Sequence, residues 1–252
     1  MTMHRFEGKV ALITGAASGL GRAVAQRLAQ EGAAIVGVDI ESAGLEATAK
    51  GVLEAGGRME TVSCDVRLQA DCKAAVGRAL EAFGQLDILC NCAGVVRFHD
   101  YTQMPEEDWN LIIGVNLTGT AFMCQAALPA LLDAHGNIVN VASVAALQGQ
   151  AYTVAYTASK AGVVQLTRSL ALEYVNHPIR INAVAPGGID TPMNENHAFP
   201  KNADWKLIHR YTSPRGMAQA EEIADTIVYL ASPEARVIHG VVLPIDHGMT
   251  AD

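Results

Sequence analysis

Charged and aromatic residues are scarce in this chain of 252 residues. Only 17% of the residues are charged and 5% are aromatic, whereas half are hydrophobic, which is typical of a sheet buried on both faces. The 18 basic and 26 acidic residues give a formal net charge of −8. Because that charge repels polyanions, we expect neither nucleic acid nor a membrane surface as a partner.

Cysteine is also scarce, and its pattern does not suggest disulfides. The five cysteines are an odd number and are spread from Cys64 to Cys124, so reduced thiols are expected. Cys90 and Cys92 form a C-x-C pair on an apparent strand. No second group of Cys or His lies nearby to complete a zinc site, and no metal is predicted.

The chain has no long uninterrupted apolar run. The amino end, MTMHRFEGK, lacks the apolar core of a secretory signal, so we expect a cytoplasmic protein. The most apolar stretch, Leu117 to Leu132, contains Thr118, Gln125 and Pro129. It is therefore interpreted as a buried helix rather than a membrane span.

Short apolar runs alternate with helical patterns, which predicts a single α/β domain over residues 1–252 with a doubly wound parallel sheet of about seven strands. The predicted strands are Val10 to Thr14, Ala34 to Asp39, Met59 to Cys64, Leu86 to Asn91, Asn137 to Ala142, Arg180 to Val184 and Val241 to Ile245. The predicted helices are Leu20 to Glu31, Ser42 to Ala55, Gln69 to Phe83, Glu106 to Leu132 with a break, Tyr156 to Asn176 and Ala220 to Leu230. The irregular segment 191–217 is long for a connection, so we expect a substrate lid there.

Three glycines lie between the first predicted strand and the first predicted helix. Gly15 permits a tight turn, Gly19 lets backbone amides approach a ligand, and Gly21 lets helix and strand pack closely. The helix amino terminus would then face a diphosphate. A purely structural turn is the alternative for this cluster.

An acidic residue ends the second predicted strand. Asp39 follows Gly15 by 24 residues, where its carboxylate can accept hydrogen bonds from ribose hydroxyls. A 2′-phosphate would meet this charge and that of Glu41, with no Arg or Lys at residues 16–18 or 40–43. The pattern favours NAD (NADH) over NADP. In the alternative interpretation, Asp39 only caps the loop.

Short sequence motifs lie along essentially the whole chain. TGAASGLG at 14–21 resembles the T-G-x-x-x-G-x-G of the compact short-chain dehydrogenases/reductases, and Asn91-Cys92-Ala93-Gly94 resembles that family's N-N-A-G. Asn116, Ser143 and the Y-x-x-x-K of Tyr156 and Lys160 match its active-site residues, and Pro186-Gly187 and Thr191 match later motifs. The resemblance implies a single-domain Rossmann fold and an oxidoreductase.

Two positions depart from the family pattern. Cys92 replaces the second Asn of N-N-A-G, which puts a hydrogen bond bracing the central strand in doubt. His247 stands in Asp246-His247-Gly248 where members commonly show D-G-G. This second change could alter the subunit contacts or the pocket wall.

The spacing of Tyr156 and Lys160 suits proton transfer. Hydride transfer at a carbinol carbon also requires movement of the hydroxyl proton, and a phenol of pKa about 10 is a poor base at neutral pH. Lys160 follows Tyr156 by four residues on a predicted helix, so both share one face, and its charge with that of oxidised nicotinamide favours phenolate. Tyr152 has no such partner. Ser143 can hold the substrate oxygen.

The resemblance adds further roles. It implies that the Asn116 backbone holds a water for proton relay, and that Asp65 and Val66 meet adenine, although Asp65 could instead cap the following helix. A helix break at Asn116, a turn at Ser143 and a surface Tyr156–Lys160 pair are the structural alternatives. The remaining implied cofactor contacts are Ser18, Leu20, Ile40, Asn91, Ala93, Gly94, Pro186, Gly187, Ile189 and Thr191.

The substrate is less determined by the sequence. A moderately apolar secondary alcohol or ketone is expected, in a pocket near Val95, Val96, Val144, Leu147, Gln150 and Tyr152. Met193, His197, Phe199, Trp205, His209 and Tyr211 would come from the lid, where they could equally form a lid core.

Other functions stay open at this stage. Reduction of 3-oxoacyl groups on acyl carrier protein needs a basic docking surface, but 127–136 offers no Lys or Arg and Arg168 is isolated. An NAD-binding sensor or scaffold without turnover, or epimerase or dehydratase chemistry, are further alternatives. Apolar helices at 117–132 and 163–174 lead us to expect a homotetramer or homodimer.

Overall fold

Strands and helices alternate along the chain in the computed structural model, which describes residues 4–195 and 199–251. The strands are β1 (Val10–Thr14), β2 (Ala34–Asp39), β3 (Arg58–Ser63), β4 (Ile88–Asn91), β5 (Asn137–Val141), β6 (Arg180–Pro186), β7 (Ile189–Asp190), β8 (Ala218–Gln219) and β9 (Val242–Ile245). The α-helices are α1 (Gly19–Gln30), α2 (Ser42–Glu54), α3 (Gln69–Phe83), α4 (Glu106–Ile113), α5 (Thr120–Asp133), α6 (Val154–Glu173), α7 (Pro192–Glu195), α8 (Trp205–His209) and α9 (Ala220–Ala231).

Seven of the strands form one parallel sheet in the order β3-β2-β1-β4-β5-β6-β9. The chain begins in the middle with β1, adds β2 and β3 on one side, and returns to build β4, β5, β6 and β9 on the other. The order reverses between β1 and β4, which opens a crevice at the carboxyl ends of these strands. The predicted single-domain, doubly wound Rossmann fold is confirmed.

Two apolar layers cover the sheet. Helices α1 and α9 pack on one face, where Leu28 and Ile227 are fully buried. Helices α3 and α5 pack on the other, where Cys72 and Leu131 are fully buried. Because both faces are covered, the central strand β1 is buried at every residue, which explains its uninterrupted run of apolar side chains.

The predicted break between residues 106 and 132 is a π-helical turn at Gly114–Gly119 that separates α4 from α5. By length and composition alone, the run Glu106–Asp133 is long and apolar enough to cross a membrane. In the structure, Met123, Cys124 and Leu131 of α5 belong to the core on one sheet face. Packing against the sheet therefore accounts for the apolar composition of α5.

Several predicted boundaries differ by a few residues. Helix α6 begins at Val154 and ends at Glu173, rather than running from Tyr156 to Asn176. Strand β3 is shifted by one residue, and β4 begins at Ile88 rather than Leu86. Apolar periodicity marks the buried middle of an element, whereas its ends depend on local hydrogen bonds.

The segment 191–217 contains secondary structure of its own. It includes α7 and α8 and is flanked by β7 and β8, which pair with each other in parallel outside the main sheet. The hydroxyl of Tyr211 donates to the carbonyl of Ala151 at 3.0 Å, and the amide of Asp204 donates to the Tyr152 hydroxyl at 2.8 Å. These two bonds attach the segment to the loop that precedes α6.

Candidate active site

The glycine-rich turn lies where β1 ends and α1 begins. Thr14 is in register with Val38 of β2 and Asn91 of β4, so the residues that follow these three strands meet at one edge of the sheet. Gly15 has φ +71°, and a Cβ on Gly21 would lie 2.1 Å from the Gly15 carbonyl oxygen. Only glycine fits at Gly21, so α1 approaches the turn with its first amides open to a ligand.

The amino terminus of α1 is suited to an anion. Ser18 is its N-cap residue and makes no side-chain capping bond, so its hydroxyl is not used to satisfy the helix. The first-turn amides and the helix dipole favour negative charge at this position. Residues Gly15, Ser18, Gly19, Leu20 and Gly21 all line the same large cavity, which fits a diphosphate.

Asp39 is held in a fixed orientation at the end of β2. Its carboxylate accepts the amide of Ala17 at 3.1 Å and that of Glu41 at 3.1 Å, one on each oxygen. Each oxygen has a second lone pair, so the group can still accept from hydroxyls in the cavity that it lines with the exposed Ile40. The Arg22 guanidinium donates to the carbonyl of Ala17 and to the hydroxyl of Thr48. It forms no hydrogen bond with Asp39.

Asp65 is bound by an arginine that the sequence analysis did not consider. The Arg67 guanidinium contacts both of its oxygens at 2.5–2.9 Å, and the Arg67 amide adds a bond at 3.0 Å. These hydrogen bonds hold the pKa of Asp65 below its usual range. Both residues and Val66 line the cavity. The N-cap residue of α3 is Leu68, so Asp65 does not cap that helix; its carboxylate forms a turn with Arg67 instead, and contact with adenine stays a prediction.

The Asn91 side chain lies in the interior and does not line the cavity, and contact of this residue with the cofactor stays a prediction. It donates to the Asn140 side-chain oxygen at 2.9 Å and to the Cys124 sulfur at 3.3 Å. Asn140 in turn donates to the Thr167 hydroxyl at 3.0 Å. A buried amide needs partners, and this network beneath the cavity satisfies Asn91, whereas Ala93 and Gly94 do lie on the cavity wall.

Ser143 and Tyr156 meet at the carboxyl end of β5. The Ser143 hydroxyl oxygen accepts the Ala145 amide at 3.1 Å, which leaves its hydrogen to donate to the Tyr156 oxygen. Burial raises the pKa of Tyr156, and the hydrogen bond with Ser143 lowers it by a smaller amount. The protein groups around Tyr156 therefore favour the neutral phenol, so the lowered pKa expected from the sequence does not arise from them alone.

Lys160 lies one helical turn after Tyr156 and is almost fully buried. Its ammonium donates to the Val141 carbonyl at 2.7 Å and lies 5.8 Å from the centre of the Tyr156 ring. Burial lowers the pKa of Lys160 to about 8. The common helix face predicted from the four-residue spacing therefore brings this cation beside the phenol.

Asn116 acts on the backbone that forms the cavity wall. Its side-chain oxygen accepts the Val95 amide at 2.8 Å, and its side-chain nitrogen donates to the Val95 carbonyl at 2.9 Å and to Ser159 at 3.0 Å. It is fully buried and does not line the cavity itself. Asn116 lies in the π-helical turn, which places its side-chain amide within hydrogen-bonding distance of Val95. The proton relay through a water held by the Asn116 backbone stays a prediction.

Of the two departures from the family pattern, Cys92 lines the cavity and His247 does not. Burial raises the pKa of Cys92 to about 12 despite the nearby Lys160, so its thiol is neutral. His247 has φ +56°, and its Nδ1 lies 3.3 Å from the Gly216 carbonyl.

Among residues 4–195 and 199–251, no group of three His, Cys, Asp or Glu could hold a metal.

Most predicted site residues share one cavity of about 750 Å³. Besides those already placed, Pro186, Gly187, Ile189 and Thr191 line it. Of the residues that were predicted to line the substrate pocket, the following line this cavity: Val95, Val96, Val144, Gln150, Met193, Phe199 and Tyr211. Leu147, Tyr152, Trp205 and His209 do not line it, and His197 lies outside the described residues.

Sequence reasoning missed several wall residues, among them Phe98, Ile208 and Met217. Phe98 packs on Phe199 with ring centres 4.3 Å apart, and Trp205 lies outside them, 5.2 Å from Phe199. The aromatic residues of the segment 191–217 thus divide between the cavity wall and the outer surface of that segment. An apolar residue in an irregular segment carries no periodic signal that would have distinguished these two positions.

Comparison with known proteins agrees with this geometry. A family model described as Enoyl-(Acyl carrier protein) reductase matches residues 15–250. The 3-oxoacyl-(acyl-carrier-protein) reductase FabG of Thermotoga maritima is 39% identical over 246 residues, 97% of this chain and 99% of that protein. The D-threitol dehydrogenase of Mycolicibacterium smegmatis is 40% identical over 250 residues, 98% and 94% of the two chains.

Solved structures give the same result. A short chain dehydrogenase from Mycobacterium paratuberculosis, bound to NAD, superimposes with a TM-score of 0.92 at 33% identity, covering 98% of this chain and 100% of that one. The similarity therefore extends over the whole sheet and the cavity at its carboxyl edge. This chain belongs to the short-chain dehydrogenase/reductase family of oxidoreductases.

Proposed function

We propose that this protein is an NAD(H)-dependent oxidoreductase that interconverts a secondary alcohol and its ketone, with Tyr156 as general acid and base. One observation carries the proposal: Ser143, Tyr156 and Lys160 line the same cavity as the glycine turn and Asp39. A bound nicotinamide accepts or supplies the hydride. Gly15, Ser18, Gly19, Leu20 and Gly21 would hold its diphosphate, and Asp39 its adenosine ribose.

The chain's own residues would handle the proton. Ser143 positions the substrate oxygen against Tyr156, which donates its proton to a ketone or removes one from an alcohol. Lys160 stabilises the phenolate formed by that donation through its nearby positive charge. Asn116 holds Val95 in the wall opposite, so the substrate meets a fixed surface.

Preference for NAD over NADP is supported by Asp39. A 2′-phosphate next to this carboxylate would place like charges together, and Arg22, the nearest arginine of α1, bonds to Ala17 and Thr48 instead. The binding of NAD by the Mycobacterium paratuberculosis relative is in line with this preference.

Reduction of carrier-linked 3-oxoacyl groups is the second candidate, favoured by the activity named for the Thermotoga maritima relative. It would need cations for an acidic carrier protein. The stretch 127–136 has none, and Arg168 stands alone on the exposed side of α6. A sensor without turnover would have no use for a phenol and an amine placed this way.

The test is formation of NADH from NAD, with NADP in parallel, across polyols, cyclic and steroid alcohols and free hydroxyacyl esters. We expect turnover of at least one apolar secondary alcohol with NAD favoured by roughly a hundredfold. NADPH-dependent reduction of a carrier-bound oxoacyl chain, with no free alcohol oxidised, would favour the second candidate. Tight NADH binding without any turnover would favour the sensor.

The pH dependence should differ between the two directions. Because burial raises the pKa of Tyr156, the phenol is neutral at neutral pH and ready to donate a proton. We therefore expect kcat/KM for alcohol oxidation to rise about tenfold per pH unit between about pH 6 and pH 8, and ketone reduction to fall at higher pH. Initial rates in both directions measure this, and an oxidation profile without slope would contradict it.

We also propose a cytoplasmic homotetramer or homodimer. Leu172 at the end of α6 is 74% exposed and Val175 just beyond it is 57% exposed. Such apolar side chains are candidates for burial against a second copy. Sedimentation velocity on the purified protein measures the stoichiometry.

A further inference from the structure

The substrate end of the cavity is mainly apolar. Val95, Val96, Phe98, Val144, Phe199 and Met217 line it around the reacting groups Ser143 and Tyr156. They come from the loop after β4, the turn after β5 and the lid. A substrate bound there would exchange water for hydrocarbon over most of its surface.

The charged side chains that line the described part of the cavity lie away from the substrate end. Asp39, Asp65 and Arg67 lie at the adenine end, and Lys160 lies behind the Tyr156 ring. Among the residues that the structure describes, no acidic or basic side chain lines the substrate end. A carboxylate or phosphate on the substrate would be desolvated without a counter-charge, which is costly. The geometry therefore favours an uncharged substrate.

The hydroxyl groups at this end are already hydrogen-bonded within the protein. Tyr211 donates to the Ala151 carbonyl at 3.0 Å, Thr212 to Ile208 at 3.2 Å, and Thr153 to the Gln150 carbonyl at 3.1 Å. The Ser213 hydroxyl oxygen accepts the Arg215 amide at 3.3 Å and keeps its hydrogen. Apart from that hydrogen, these groups have partners before any substrate binds.

The side-chain amide of Gln150 differs from them. It lines the cavity, and within the described part of the chain it has no hydrogen-bond partner. Its backbone is held by Thr153 through the Gln150 carbonyl, and the next residue, Ala151, is held by Tyr211. A fixed backbone thus presents two donors and one acceptor to the substrate.

We propose that the substrate is an uncharged, mainly apolar alcohol or ketone that carries a second oxygen, and that the Gln150 amide binds this oxygen. Ser143 and Tyr156 hold the reacting oxygen while Gln150 fixes the orientation of the rest. This inference rests on the proposed function. Gln150 is a binding residue for specificity and takes no part in proton transfer.

The experiment compares matched cyclohexane alcohols. NAD-dependent oxidation of cyclohexane-1,2-, 1,3- and 1,4-diol is measured beside 2-, 3- and 4-methylcyclohexanol, in which a methyl group replaces the second hydroxyl. We expect at least one diol to exceed its methyl partner about tenfold in kcat/KM, the size of one hydrogen bond in a buried site. 4-Hydroxycyclohexanecarboxylate should react at least about tenfold more slowly than 4-methylcyclohexanol.

Two variants that carry the same Gln-to-Met substitution complete the experiment. Gln150→Met should remove the advantage of the diol, mainly through KM, so that the ratio of kcat/KM for the diol to that for its methyl partner falls to about one. Gln148→Met makes the same change two residues away, off the cavity wall, and should keep the wild-type preference.

The outcomes separate this inference from the proposed function. Tyr156-dependent oxidation of methylcyclohexanols without any preference for a diol would overturn the inference alone. A diol preference that persists in Gln150→Met, or efficient oxidation of the carboxylate, would also overturn it. If no alcohol of either set is oxidised but a polyol, steroid alcohol or hydroxyacyl ester is, the inference falls and the proposed function stands; if none of these is oxidised, both fall.

Discussion

Replacement of Tyr156 by Phe should lower kcat/KM by about a thousandfold or more, with NADH binding unchanged within about twofold. The variant keeps the ring that packs beside Lys160 and loses the hydroxyl that Ser143 contacts. Without that hydroxyl no group at this position can donate or accept the substrate proton. Steady-state rates and a fluorescence titration with NADH measure the two effects separately.

The matched control is Tyr229→Phe on α9. This residue is 40% exposed and does not line the cavity, so the same loss of one hydroxyl should leave turnover unaffected. Retention of more than about a tenth of the wild-type rate by Tyr156→Phe would show that another group moves the proton. Equal losses in both variants would point to damaged folding, which thermal unfolding would reveal.

Replacement of Asp39 by Asn should change the coenzyme preference by about a hundredfold in the ratio of kcat/KM for NAD to that for NADP. The amide oxygen can still accept one backbone amide, but the negative charge that opposes a 2′-phosphate is gone. A hundredfold change corresponds to about 2.7 kcal/mol at 1.36 kcal/mol for each factor of ten. Initial rates with both coenzymes and one alcohol measure the ratio.

Asp133→Asn is the corresponding control, because it removes one negative charge from the exposed end of α5. This end leads into the amino end of β5, opposite the cavity. The ratio should stay within about twofold of wild type, since screened surface charges act weakly over that distance. An unchanged ratio in Asp39→Asn would mean that Asp39 serves only the turn formed with Ala17 and Glu41.

Local spacing predicted most of the fold and of the reacting groups. The apolar runs identified all seven strands of the main sheet, and the break before α5 appears as the π-helical turn at Gly114–Gly119. The Tyr156–Lys160 spacing specified a common helix face, and the structure adds the contact of Lys160 with Val141. Such features depend on neighbours within a few residues, so a sequence displays them directly.

The hydrogen-bond partners of the polar side chains could not be predicted in the same way. Asn91 pairs with Asn140 in the interior rather than facing the cavity, and Asp65 is bound by Arg67. Asn116 holds Val95 through two hydrogen bonds across 21 residues of sequence. A buried polar side chain bonds to the donor or acceptor that tertiary packing places beside it, and a local sequence pattern does not predict which group that is.

By itself, then, the sequence determined the strand order along the chain, the glycine turn, the carboxylate after β2 and the phenol and amine on one helix face. Only the tertiary structure decided which polar groups are already hydrogen-bonded within the protein; among the described residues, the Gln150 amide lines the cavity without such a partner. It also decided how residues 191–217 attach to the rest, through Tyr152 and Tyr211, 52 and 60 residues from their partners. The physical reason is that periodicity and spacing act locally, whereas burial and hydrogen bonding are settled between segments that meet only when the chain folds.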